Sequence, residues 1–294
     1  KYSNYLVRLI SRMTKVGVDW VETEYPGVLE AYRPTTDGLV LDASSHELTY
    51  RLSRSLDAEQ YTLGLEPGER VETEIAGIAD AVQEWNRKRW SWEYRIMLGD
   101  VYQPQEPWMQ ATLAEWTETN RKLVKSLTGE ALSRMESLAL EALQKGTRHE
   151  DLTVEVLKLG VKNVNRAKLI ARDQLGKLNA LVNEKRSLDV GMDKYVWETA
   201  MDERVRGNPA GKYPTARPRH DTCQGKIGIY GKPGVWFDEA TGKTVPRLAS
   251  EPSEPVGFAV QCRCVGSSRW KDVVAPIDED LMSDPYIRAE LGLE

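Results

Sequence analysis

Four side chains in this sequence are suited to holding a metal ion: His220 and Cys223, in the spacing His-x-x-Cys, and Cys262 and Cys264, in the spacing Cys-x-Cys about forty residues later. Imidazole nitrogen and thiolate sulfur are the donors that structural zinc prefers, four at a time in a tetrahedron. One ion bound by all four would tie the two ends of this segment together. Two further readings stand beside it. Cys-x-Cys is a tighter hook than the usual zinc knuckle, and cysteine often serves as a small buried hydrophobe. Free thiols beside a hydrogen-bonded His220 therefore fit the same residues. A Cys223 disulfide to Cys262 or Cys264 is the third reading; it is disfavoured in a reducing cytoplasm, and three cysteines cannot all pair. A hydrolase would have to be built on His220 with Cys223, and the sequence supplies no third group to orient them. With no Gly-x-Ser-x-Gly, no phosphate-binding glycine loop and no paired-histidine motif, no catalytic residue is assigned and an enzyme is not expected.

Short elements must position these groups. Tyr195-Val196-Trp197-Glu198-Thr199 alternates as a strand does, placing Tyr195, Trp197 and Thr199 on one face. A charged turn follows, Asp202 to Arg206, and then a Gly/Pro-rich run to His220. Residues 227–230, 235–237 and 244–246 read as further short strands between Gly/Pro turns. Strands this short hold poorly alone, so the segment needs a cross-tie, whether main-chain pairing or a metal closing a loop of about forty residues.

Upstream, the apolar spacing is helical. Leu6, Leu9, Ile10, Met13 and Val16 predict a helix over 2–25, with shorter ones expected around 29–32 and 44–56 and breaks at Pro34 to Gly38 and Pro67-Gly68. Val71, Ile75, Ile78, Ala79, Val82, Trp85 and Trp92 form the expected buried stripe of a long helix over 69–97. A second long helix carries Leu123, Leu127, Ala131, Met135, Leu138 and Ala142 and ends at Lys145-Gly146. Thr147 to Glu150 reads as a capping box opening a short helix that ends at Gly160. A further helix follows, with Ala167, Ala171, Leu175, Leu178 and Val182 as its stripe. The expected fold class is α+β: a mainly helical N-terminal half, then a smaller, loop-rich α+β domain with short antiparallel strands. The proline loop at 103–107 is the expected division. It gives a helical region over 1–105, a second domain over 106–266, and a C-terminal arm over 267–294 with one short helix near 285–291.

Arg172 and Asp173, with Asp202, Arg204 and Arg206, read either as exposed surface charges or as a structural ion-pair network. A wider pattern contains them. Leu169 to Gln174, Leu178-Asn179, Gly191, Tyr195-x-Trp197-x-Thr199, Asp202-x-Arg204-Val205-Arg206, His220, Gly225, Pro255 and Cys262-Arg263-Cys264 occur in one order. That order, over roughly residues 120–265, resembles the phage Mu F-like family of minor head proteins. The run between Arg206 and His220 is longer than that family's usual turn, and Cys223 falls outside its pattern. The resemblance implies a head morphogenesis protein of a tailed phage, assembled in the host cytoplasm and carried in several copies per virion inside the capsid at the portal vertex. Its implied partners are the portal protein and, further, packaged DNA, scaffold or major capsid protein. Its implied work is in head assembly and in DNA packaging or ejection. The helical N-terminal region would grip the portal. A zinc-stabilised DNA-binding module without a capsid role is the alternative.

Composition sets bounds on these readings. The 294 residues are 40% hydrophobic and 29% charged, as in a globular chain of one or two domains. No apolar run reaches eighteen residues, so no membrane span is expected. The opening Lys1-Tyr2-Ser3-Asn4-Tyr5 has neither an initiator Met nor an apolar signal core, so the start reads as trimmed and secretion is not expected. The net charge of −5 is uneven: from Gly160 to Lys232, fifteen Lys/Arg stand against eight Asp/Glu, which is +7 there and −12 elsewhere. A basic segment of this kind suits either a solvated face or a polyanion. Arg166, Lys168, Arg217 and Arg219 are its candidate phosphate contacts.

Overall fold

Five helices precede a sheet in the computed structural model, which describes residues 1–31, 54, 69–99, 102, 104–260 and 262–272. The helices are α1 (Tyr2–Thr23), α2 (Tyr25–Ala31), α3 (Glu69–Leu98), α4 (Met109–Lys145) and α5 (His149–Asp189). The strands are β1 (Lys194–Glu198), β2 (Ile227–Ile229), β3 (Val235–Asp238), β4 (Lys243–Pro246) and β5 (Val265–Ser268). The fold is α+β with a helical N-terminal half. The break at Pro34 to Gly38, the turn at Pro67-Gly68 and the short helix near 285–291 lie outside the described residues, as does the helix expected over 44–56 apart from Arg54.

Glycine ends α4 and α5 by a shared device. After α4, Gly146 takes φ +62. Its N–H bonds Leu143 O at 3.1 Å and the next N–H, of Thr147, bonds Ala142 O at 2.8 Å. After α5, Gly191 and Met192 bond Leu188 O and Ser187 O in the same way. This left-handed closure satisfies carbonyls that a helix end would otherwise leave open, and glycine adopts it without steric cost.

The chain divides into two compact units that are discontinuous in sequence: Lys1–Ala79 with Thr112–Arg172, and Asp80–Ala111 with Asp173–Glu294. The proline loop at 104–107 therefore lies inside the second unit, and α3, α4 and α5 each run through both.

In the first unit Trp20, Tyr25, Met135, Leu143, Leu152 and Val156 share a buried apolar cluster. A Cβ added at Gly160 would stand 2.5 Å from Thr14 Cγ2, so glycine lets α1 and α5 approach closely at this point. Here the structure corrects the expected helix end at Gly160. The short helix and its successor are one helix of 41 residues, since a mid-helix glycine costs only about 1 kcal/mol and the packing across it is tight.

In the second unit the strands lie in the order β4-β3-β2-β1-β5, all antiparallel. Tyr195 and Trp197 of β1 are buried on one face, as their alternation requires. Tyr195 pairs with Gly228 of β2, and a Cβ there would stand 2.2 Å from the Tyr195 ring. At Gly266 of β5 an added Cβ would be 3.1 Å from the same ring. Both strands beside β1 thus carry glycine where the tyrosine lies.

A buried polar seam joins α5 to α3 within this unit. Asn183 accepts from Trp90 Nε1 at 2.7 Å and Arg89 Nη2 at 2.9 Å, and donates to Gly266 O at 3.1 Å on the edge strand β5. A side chain bonded there shields part of an edge that would otherwise be open to pairing. Asn86 donates to Asn179 at 2.8 Å and accepts from Arg186 at 2.6 Å. The seam corrects the expected stripe of α3. Trp85 and Trp92 are 58% and 49% exposed, whereas Trp90 is fully buried.

Candidate metal centre

His220 enters the site from a turn that its backbone fixes firmly. Its N–H bonds Arg206 O at 2.9 Å, the N–H of Asp221 bonds the same carbonyl at 3.2 Å, and a short 3-10 turn, Asp221–Cys223, follows at once. Cys223 N–H returns to His220 O at 3.1 Å. Cys262 and Cys264 arrive just ahead of β5. Because β5 pairs with β1 while Gly225 N–H bonds Trp197 O at 2.8 Å, β1 holds the two arms of the site on either side of itself.

The result is a cluster of three donors, His220, Cys262 and Cys264, whose ligand atoms all lie within 4.8 Å of one another. His220 Nδ1 stands 3.4 Å from Cys264 Sγ and 3.5 Å from Cys262 Sγ. Zinc bonds of about 2.0–2.3 Å at tetrahedral angles require donor separations of roughly 3.5–3.8 Å. The spacing and the donor set, one imidazole and two sulfurs, therefore fit such an ion, and the group could hold a metal.

Cys223, the expected fourth ligand, is not in this group. It is fully buried and its thiol donates to Arg219 O at 3.5 Å. Burial pushes its pKa up to about 11. Its place is the apolar cluster of Tyr195, Trp197, Trp236, Val256 and Cys264, where a neutral thiol is well suited. A disulfide is not formed; all three cysteines are free.

The two clustered thiols are shifted in opposite directions. Cys264 hydrogen-bonds to Cys262, and with His220 alongside this holds the Cys262 pKa well below its ordinary value. The same contact, with burial, raises that of Cys264. Cys264 N–H also points at the Cys262 sulfur, at 3.4 Å. The other imidazole nitrogen, His220 Nε2, is buried without a hydrogen-bond partner.

The charged turn supports this cluster. Asp202 forms a two-bond ion pair with Arg263, the residue between the two cysteines, with one bond at 2.5 Å, and it also accepts from Arg204 N–H at 2.9 Å. Arg206 Nη2 bonds Val260 O. Arg204 thus takes part through its backbone and Arg206 through its side chain. Farther back, Asp173 pairs with Lys177 at 2.9 Å and Arg172 is exposed. The guanidinium of Arg263 lowers the Asp202 pKa to about 2. An unfolded Asp titrates near about 3.9, so this pair contributes fully above about pH 4 and is lost as pH falls toward 2. In urea unfolding at a series of pH values, Asp202→Asn is expected to lower the midpoint above pH 4, by an amount that shrinks steadily as pH falls through about 2. A difference that does not shrink in acid would contradict this assignment.

Two residues central to this lobe carry no sequence signal. Arg247 stacks 3.9 Å above the Trp236 ring and donates to Tyr195 OH, Pro252 O and Glu254 O. Glu251, 4% exposed, accepts from Trp236 Nε1, Leu248 N–H and Lys226. Nothing in their spacing marks them, because each is defined by partners brought in by the fold.

Of the candidate phosphate contacts, Arg166 is paired with Glu130 and Arg219 with Asp221 at 2.6 Å. Arg217 donates to the carbonyls of Thr215 and Ala216, and Lys168 is exposed. No helix among the described residues is long and apolar enough to cross a membrane.

Among known proteins, an uncharacterised protein of Haemophilus influenzae is 36% identical to this chain over 110 residues, which is 36% of this chain and 25% of that protein. The chain thus spans about a quarter of the length of this curated relative. No protein-family model matches, and no solved structure does.

Proposed function

We propose that this chain is a minor head protein of a tailed phage, a structural component placed inside the capsid at the portal vertex, whose sheet-bearing lobe is cross-tied by a structural zinc. The observation that carries the reading is a convergence. Motif residues that resemble the Mu F-like pattern, and that lie far apart in sequence, meet in one lobe: Asp202 with Arg263, and His220 with Cys262 and Cys264. Each is engaged in holding another part of the chain, which suits a shape-keeping role better than turnover. His220, Cys262 and Cys264 would hold the zinc, which when bound supplies a firm closure of the long loop between them. Arg166 and Arg219 already have carboxylate partners, and this weighs toward protein contacts and away from the DNA-binding alternative. The N-terminal helical region would grip the portal protein.

Purified heads from a phage encoding the chain provide the test. The chain is expected in the heads in several copies, with density at the portal vertex, and deleting its gene is expected to reduce the yield of DNA-filled, infectious particles. Heads that lack the chain yet match the parent in DNA content and infectivity would overturn the proposal.

A further inference from the structure

We infer that Cys262 and Cys264 form an oxidant-sensitive pair, with a peroxide as the oxidant, and that the cross-tie of the lobe is released when they join. The inference deepens the metal reading proposed above. It rests on geometry that is present with or without an ion. Cys262 is partly exposed while Cys264 is buried beside it. Both sulfurs lie in the group with His220, and Cys264 N–H points at Cys262 Sγ at 3.4 Å. One sulfur thus belongs to a residue partly open to solvent, a second lies within 4.8 Å of it, and an imidazole nitrogen stands 3.4–3.5 Å from both. Cys223, fully buried and turned to Arg219 O, lies outside the pair.

The chemistry balances in two steps. The Cys262 thiolate attacks one oxygen of hydrogen peroxide, the O–O bond breaks, and with one proton taken up the products are a sulfenic acid and water. The Cys264 sulfur then attacks the Cys262 sulfur, the S–O bond breaks, and the Cys264 proton leaves with the hydroxyl as a second water. The pair has lost two electrons to the peroxide and carries an S–S bond. Starting from a zinc-bound pair of thiolates, the sum is one peroxide and two protons consumed, one disulfide, two waters and one Zn²⁺ released. A metal held by His220 and two thiolates would be left with His220 alone.

The experiment uses the full chain, purified under reducing conditions and treated with a few equivalents of hydrogen peroxide. Unreacted thiols are then alkylated and mapped by mass spectrometry, while a chromogenic chelator reports released zinc. The expected result is a fall from three alkylated cysteines to one, that one being Cys223, with Cys262 and Cys264 linked and zinc released in equal measure to the linkage. In Cys223→Ala the linkage is expected to form to the same extent. Linkage through Cys223, overoxidation of Cys262 with Cys264 still alkylated, or three alkylated cysteines after treatment would each overturn the inference. A chain that links Cys262 to Cys264 but releases no zinc would support the oxidant-sensitive pair and contradict the metal reading, so the two failures are told apart.

Discussion

With zinc bound as proposed, a strong chelator at neutral pH is expected to lower the stability of the folded chain by about 4 kcal/mol, and His220→Ala is expected to cause a similar loss. Two routes give that magnitude. A ligand at about a thousand times its dissociation constant stabilises the state that binds it by about 4 kcal/mol. Independently, His220 and Cys264 are 44 positions apart, and a cross-link closing a loop of that length removes roughly 4 kcal/mol of chain entropy from the unfolded state. The alternative predicts a different size. If the imidazole and thiols only hydrogen-bond to one another, chelator has no effect and His220→Ala costs about 1–3 kcal/mol. The direction with pH also separates them. Protons compete with the metal for His220 and both sulfurs, so the metal-dependent part weakens as pH falls. Urea unfolding with and without chelator at pH 7.5 and pH 6 reads both quantities, and a chelator-insensitive midpoint would remove zinc from the account.

How the sequence shows some of this and hides the rest follows from what hydrophobic spacing can detect. Strand β1 is visible because aromatic Tyr195 and Trp197 stand two apart among residues that favour strands, and β2 to β4 are visible because Gly/Pro turns bound short apolar runs. Strand β5 is not. Val265-Gly266-Ser267-Ser268 has one apolar residue, and it becomes a strand only because β1 offers it a partner, so a boundary drawn at 266 falls inside it. In α3 the first turns follow the apolar stripe, with Val71, Ile75, Ile78 and Ala79 buried. Farther on, the buried face passes through Asn86 and Trp90, and no apolar periodicity reports it because half of it is polar. The donor cluster is legible in part. Ligand chemistry named His220, Cys262 and Cys264, but the spacing His-x-x-Cys also named Cys223, and sequence cannot tell that the turn at 221–223 aims its sulfur at Arg219 O.

The polar seam leads to the second large effect: Arg186→Ala is expected to destabilise the chain by about 3–5 kcal/mol, the cost of breaking a buried ion pair from one side. Arg186 is fully buried. It makes a two-bond contact with Glu106, whose side chain is 11% exposed, and it also donates to Asn86 Oδ1 at 2.6 Å and Gln83 O at 3.2 Å. Removing the guanidinium leaves a carboxylate, an amide and a carbonyl without their donor in a site with little access to water, and it opens a cavity as well. Arg186→Lys keeps the charge but cannot serve Glu106 and Asn86 together through a planar fork, so a smaller loss of about 1–3 kcal/mol is expected. Glu106→Leu combined with Arg186→Met distinguishes pairing from bulk. Replacing both charges by apolar groups is expected to cost much less than the sum of the single changes, because no ion is left stranded. Urea midpoints of the four proteins measure that coupling, and additive losses would show that Arg186 acts by packing alone. Its partners come from α3 and from the loop before α4, so the same residue decides which turn of α3 faces α5. A sequence reading that treats arginine as a surface residue cannot anticipate that role.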